Sequence, residues 1–158
     1  MISIKVVAFQ VLCAIVFSER HNDRTGETFK FGYDQPVNAT LVGRYKLANN
    51  WAIGSKWTYH TGTPYTPVLG ISGTYPDGRP RPLYGGVNSD RLPNYHRLDL
   101  RLDKTIAHNT WKATIFFELI NAYAHKNVAG YDYGPNYNKK EAIYQLPFLP
   151  AFGFEAEF

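Results

Sequence analysis

Hydrophobic and polar residues alternate with a period of two along much of this chain, the spacing of a strand with two unlike faces. In HRLDLRLDKTI (96–106), Leu98, Leu100, Leu102 and Ile106 fall on one face and Arg97, Asp99, Arg101, Asp103 and Thr105 on the other. No helix places leucines at that spacing. WKATIFFELINAY (111–123) sets Trp111, Ala113, Ile115, Phe117, Leu119 and Tyr123 against Lys112, Thr114, Phe116 and Glu118. The short link AHNT joins the two runs as an antiparallel hairpin. A second hairpin is predicted from NATLVGRYKL (38–47) through Ala48, Asn49 and Asn50 into WAIGSKWTYH (51–60), where Trp51, Ile53, Trp57 and Tyr59 share a face. Residues 7–17 alternate Phe9, Val11, Cys13, Ile15 and Phe17 with Ala8, Gln10 and Ala14. In the last run, from about Phe148, Phe152, Phe154, Ala156 and Phe158 oppose Gly153, Glu155 and Glu157. The pattern predicts an all-β chain, an antiparallel up-and-down meander of about six strands.

Connection lengths sharpen that expectation. The links at 48–50 and 107–110 are tight, while 19–34, 62–94 and 124–147 are long and rich in Gly, Pro, Asn, Asp and Tyr. Strict alternation puts every tight turn at one end of the sheet and every long connection at the other, as in strand-built membrane barrels. The strands also have about the 9–11 residues needed for a tilted crossing of the hydrocarbon layer. Trp51, Trp111 and Phe158 fall at the tight-turn end, and Tyr59, Tyr65, Tyr95 and Tyr123 gather towards the other. Two aromatic belts at opposite strand ends match the interfacial girdles of such barrels. The expectation is an open portion of a transmembrane β-barrel. A soluble sheet with one face in a core explains the alternation but not the Trp and Tyr residues at the strand ends.

Composition removes other classes. A chain of 158 residues is one domain at most, 1–158, or a piece of something larger. Aromatic residues reach 16%, yet no run approaches the 18 or so apolar residues of a membrane helix, so only a strand-built crossing remains. The net charge of +4 is spread rather than clustered, so nucleic acid is not an expected partner. Cys13 stands alone, which excludes an intrachain disulfide. The five histidines, His21, His60, His96, His108 and His125, do not fall at ligand spacing. No nucleophile–base order, paired-carboxylate site or phosphate-cradling loop stands out, so neither enzymatic activity nor a metal or cofactor is expected.

The charged face and one loop are the candidate chemistry. Arg97, Asp99, Arg101 and Asp103 alternate in sign, and with Lys112, Glu118, Glu155 and Glu157 they are expected to line a wet lumen. Aligning Phe158 with Trp111 sets Glu157 beside Lys112 and Glu155 beside Thr114. As structural ladders such pairs are worth about 0.2–1 kcal/mol each. In TYPDGRPRPLYGG (74–86), Tyr75, Arg79, Arg81 and Tyr84 sit on a Pro-Gly scaffold that could hold an acidic or aromatic ligand, although Pro and Gly also serve simply to close a loop. Residues 1–18 read as a strand in preference to a signal peptide, because Gln10 interrupts the apolar run and no small-residue cleavage site follows.

The tail GFEAEF, with Gly153 and the terminal Phe158, resembles the carboxy-terminal signal by which outer-membrane barrels are recognised by their assembly machinery. Ala156 stands where a second aromatic is usual. Further stretches, YDQPVNATLVGRYKL (33–47), TGTPYTPV (61–68), RLPNYHRLDLRLDKT (91–105), FFELINAYAHKNVAGYDY (116–133) and QLPFLPAFGFEAEF (145–158), resemble in order the last barrel strands of TonB-dependent outer-membrane receptors. The resemblance covers 33–158. It implies a segment of a receptor and transporter for a scarce nutrient of the siderophore, cobalamin or glycan class, located in the outer membrane. Implied partners are outer-membrane lipid, the barrel assembly machinery, the remainder of barrel and plug, and TonB through that remainder. With about six strands and no candidate plug or TonB box, the chain is expected to be a fragment that does not transport alone. The alternative is a small standalone β-sheet protein with a structural or ligand-binding role.

Overall fold

A computed structural model describes residues 6–15, 19–22 and 26–158. Six strands form one antiparallel sheet: β1 (Val6–Ile15), β4 (Val37–Lys46), β5 (Trp51–His60), β10 (Tyr95–Ala107), β11 (Lys112–Ile120) and β14 (Leu149–Glu157), neighbours in that order. β1 covers most of the first expected strand. The alternation of its side chains, and the choice between strand and leader at 1–5 and 16–18, lie outside the described residues.

Both tight turns follow from local chemistry. Asn49 (φ 57°) and Asn50 (φ 60°) occupy the left-handed region, which asparagine tolerates and which two-residue hairpins favour, while Leu47 N–H donates to Trp51 O at 2.8 Å. At the second turn His108 N–H donates to Trp111 O at 2.8 Å. The register carries each side-chain pattern across the sheet. Tyr45, Ile53, Leu102, Phe117 and Phe152 form one continuous row, and Arg44, Gly54, Arg101, Glu118 and Ala151 form a row of the opposite parity. Lys112 pairs with Glu157 and Thr114 with Glu155, the register expected from the tail.

Burial is inverted relative to a water-soluble sheet. Among the described residues the only buried hydrophobic side chain is Ala52, while Asp34, Asp99, Asp103, Asn121 and Asn127 are buried. On the apolar face Phe152 is 89% exposed and Phe154 77%. The polar face, not the apolar one, is where side chains pack.

The three long connections differ from the irregular loops expected from their composition. Each contains a ribbon: β2 (Glu19–Asn22) with β3 (Glu27–Lys30), β7 (Val68–Thr74) with β8 (Pro80–Tyr84), and β12 (Val128–Tyr133) with β13 (Lys140–Tyr144). A further short pair, β6 (Pro64–Tyr65) with β9 (Asp90–Arg91), stands at the foot of the second ribbon. Bulges at Val68/Gly70 and Ile71/Gly73 let glycines and prolines sit within the β7–β8 ribbon. Two expectations about strand ends need correction. β11 ends at Ile120, so Tyr123 lies in the following turn, where Asn121 (φ 54°) breaks the strand. Tyr95 shares its parity with Arg97 and pairs with His60, so it belongs to the polar face and not to the outer aromatic group.

Candidate functional site

The polar face holds one linked set of ion pairs and two separate pairs. Asp103 receives Arg44 at 2.8 Å on one oxygen and Arg101 at 2.6 Å on the other. Arg101 reaches on to Glu155 at 3.3 Å and lies 3.9 Å from the centre of the Phe116 ring. Arg97 pairs with Asp99 at 2.8 Å, and Lys112 with Glu157 at 3.2 Å. These residues come together because strands in register bring residues of like parity onto one face. Asp103 is buried and doubly paired, which offsets the cost of removing a carboxylate from water. Glu118, opposite Arg101, makes no ion pair among the described residues. Towards the tight turns this face forms a concavity of about 600 Å³ lined in part by Arg44, Arg101, Asp103, Lys112 and Glu155.

The aromatic residues lie where the strand ends carry them. Trp51 and Trp111 flank the tight turns, each about 37–38% exposed, and Phe158 is fully exposed. Lys104, on the apolar face, donates to Asn49 O at 2.6 Å and lies 5.2 Å from the Trp51 ring. It thereby carries its charge to the turn, away from the apolar rows. At the other end Tyr59 stacks with Trp57, and the Tyr123 hydroxyl lies 2.8 Å from His96 Nδ1. Burial pushes the Tyr123 phenol above its ordinary value.

Sequence reasoning did not identify the knots at the ribbon end, although the stretches that carry the family resemblance contain them. Arg91 of RLPNY donates to the Asp34 carboxylate of YDQP, to Asp34 O at 2.6 Å and to Gly62 O at 2.8 Å. Gly62 of TGTPY packs so closely that a β-carbon there would lie 1.7 Å from Leu92 O. Asn121 and Asn127, the two asparagines of NAYAHKNV, are buried. Asn121 bonds His125 through both its N–H and C=O and donates to Leu146 O, while Asn127 bonds both backbone groups of His96. Tyr65 O–H donates to Asp90 at 2.7 Å and accepts from Lys140 Nζ at 2.6 Å, and that ammonium lies 3.8 Å from the Tyr131 ring. This cluster ties the β6–β9 pair to the β12–β13 ribbon. Burial raises the Tyr65 phenol, the Tyr65 hydrogen bond holds the Asp90 carboxyl below its usual range, and the same hydroxyl raises Lys140.

Of the four loop residues singled out, Tyr75, Arg79 and Tyr84 line one groove together with Pro135, Asn136 and Tyr137 from the β12–β13 tip. Arg81 does not line it; its carbonyl accepts from Ser72. Among the described residues no three His, Cys, Asp or Glu converge on one point. Comparison of the chain with protein-family models, curated proteins and solved structures found no match.

Proposed function

We propose that this sheet is part of the β-barrel of a TonB-dependent outer-membrane receptor, with its apolar face towards lipid and its ion-paired face towards the lumen. The receptor takes up a scarce nutrient, and TonB acts on it through its other parts. The observation that carries this reading is the inverted burial: Phe152 and Phe154 are almost wholly exposed while Asp99 and Asp103 are buried among arginines. A sheet in water would lose stability by that arrangement, whereas a sheet between lipid and a wet interior gains by it. The unpaired outer edges of β1 and β14 fit the same reading, since further strands would close them. Support for the receptor family comes from the resemblance. Its quoted stretches contribute Asp34, Gly62, Arg91, Asn121 and Asn127, which form the packed junctions between sheet and ribbons.

Lipid quenching tests the membrane placement. With the chain reconstituted in vesicles, Trp51 and Trp111 fluorescence should be quenched more by lipid brominated near the headgroup than at the chain end. In a variant with its native tryptophans replaced, Phe152→Trp should show the reverse. A chain that stays in solution, or tryptophans quenched by neither lipid, would overturn the reading.

A further inference from the structure

We propose that the groove between the β7–β8 ribbon and the β12–β13 tip is a binding site for an uncharged saccharide. The proposal rests on the reading above, in which the ribbons meet ligand outside the membrane, and names the substrate class for that end of the molecule.

The groove's volume, about 520 Å³, falls within the roughly 300–1,000 Å³ usual for small-molecule sites. Its walls are rings: Tyr75, Pro80, Pro82 and Tyr84 from one ribbon, Pro135 and Tyr137 from the other. Its one charged lining residue, Arg79, is already neutralised. Asp77 takes the guanidinium at 2.7 Å and the Arg79 backbone N–H at 3.1 Å. An anionic ligand would have to compete with that carboxylate. The neutral groups are free to bind: the Tyr75, Tyr84 and Tyr137 hydroxyls and the Asn136 carboxamide have no protein partner among the described residues. Flat apolar surfaces edged by groups that both donate and accept suit a ligand that is apolar on its ring faces and hydroxylated around its rim. A saccharide has that form. A proline-rich peptide matches the rings but offers the hydroxyls mainly acceptors.

Backbone strain at one position supports the same assignment. Tyr137 has φ 50°, a left-handed conformation in which a bulky residue is rarely found. Its N–H closes the tip on Gly134 O at 2.8 Å, and glycine would occupy the position without strain. A tyrosine held there at the cost of stability fits a position kept for its ring in the groove. The walls are also prepared in advance. Lys140 bonds Tyr65, and the Tyr133 hydroxyl accepts the Val68 N–H at 3.4 Å, so the two ribbons are joined below the groove.

The test uses the full chain folded in detergent micelles, with maltotriose, cellotriose and mannotriose as neutral probes, each titrated by calorimetry. Trigalacturonate, 2,3-dihydroxybenzoate and a proline-rich peptide are the competitors. At least one neutral trisaccharide should bind at millimolar concentration or below, and Tyr84→Ala should weaken it about fivefold or more. Arg81→Gln, at a residue that does not line the groove, should leave it within about twofold. Tyr137→Gly is decisive because it should raise unfolding stability while binding falls, a pairing that a purely structural tyrosine does not give. Absence of binding by all three trisaccharides to chain with a native strand spectrum would overturn the proposal. So would tighter binding of an anionic probe or of the peptide, or binding unaffected by Tyr137→Gly. Failure of lipid quenching with saccharide binding intact would overturn only the membrane reading.

Discussion

The Phe116 ring covers Gly153: a β-carbon at Gly153 would lie 2.6 Å from the ring's ζ carbon, and Arg101 holds the ring from 3.9 Å. Gly153 is therefore closely packed on the polar face, quite apart from the terminal signal that its position resembles. Gly153→Val should cost about 1–3 kcal/mol, read from urea unfolding in micelles. Adding Phe116→Ala should recover part of that loss, because the clash and the ring are removed together. If the valine variant is as stable as the parent, the packing role fails.

Asn121 is wholly buried and stands in for several backbone partners at the end of β11. Asn121→Ala leaves the His125 N–H and the carbonyls of His125 and Leu146 without it, and should cost about 3 kcal/mol. Asn121→Gly removes the strain of φ 54° but not the missing bonds, so its loss should be smaller. Equal losses in the two variants would show that the backbone conformation contributes little.

Arg91 joins Asp34 and Gly62 through a planar fork that lysine cannot reproduce. Arg91→Lys should therefore destabilise by about 1–3 kcal/mol although charge is kept. Arg91→Met should cost about 3 kcal/mol, because the buried Asp34 loses its counter-charge. Hydrogen exchange at the amides of Asp34, Gln35, Val37 and residues 61–63 should locate the loosening at this junction.

The Tyr65, Asp90 and Lys140 cluster should hold across a wide pH range. The Asp90 value is lowered, so its contribution is present above the ordinary 3.8 and lost as pH falls through the lowered value. Tyr65 and Lys140 are raised, so theirs are present below the ordinary 10.0 and 10.5 and lost as pH rises through the raised values. Carboxyl-carbon NMR should find Asp90 titrating below its ordinary value, and Tyr65→Phe should move it up. An Asp90 titration unchanged by Tyr65→Phe would mean that the hydroxyl does not hold the carboxylate.

The sheet strands, the two hairpins and the pairing of the tail with β11 were legible because strict alternation fixes the face of each residue, and a tight turn then fixes the pairing of the two strands it joins. Leu98, Leu100 and Leu102 admit one facing, and a turn after Ala107 leaves Lys112 one partner on that side. The ribbons were not legible. VLGISGT and PRPLY carry glycines, prolines and two bulges, so no period of two survives, and their composition reads as loop. Nor could alternation locate the groove, whose walls come from tips about 50 residues apart in sequence and meet only through the two ribbons. Tyr75, Arg79 and Tyr84 were recognisable as ring and charge on a Pro-Gly scaffold that could hold an acidic or aromatic ligand, but Arg79's pairing with Asp77 depends on the turn geometry.

Strand parity has a topological consequence. Ile15 of β1 pairs with Val37 beside the ribbons, and Glu157 of β14 pairs with Lys112 beside the tight turns, so the two outer strands run in opposite directions. A bridge of any even number of alternating strands can join those edges with every pair antiparallel, whereas an odd number forces one parallel pair. The six strands thus act as a module of fixed polarity, the same whatever even number of strands is added between its edges.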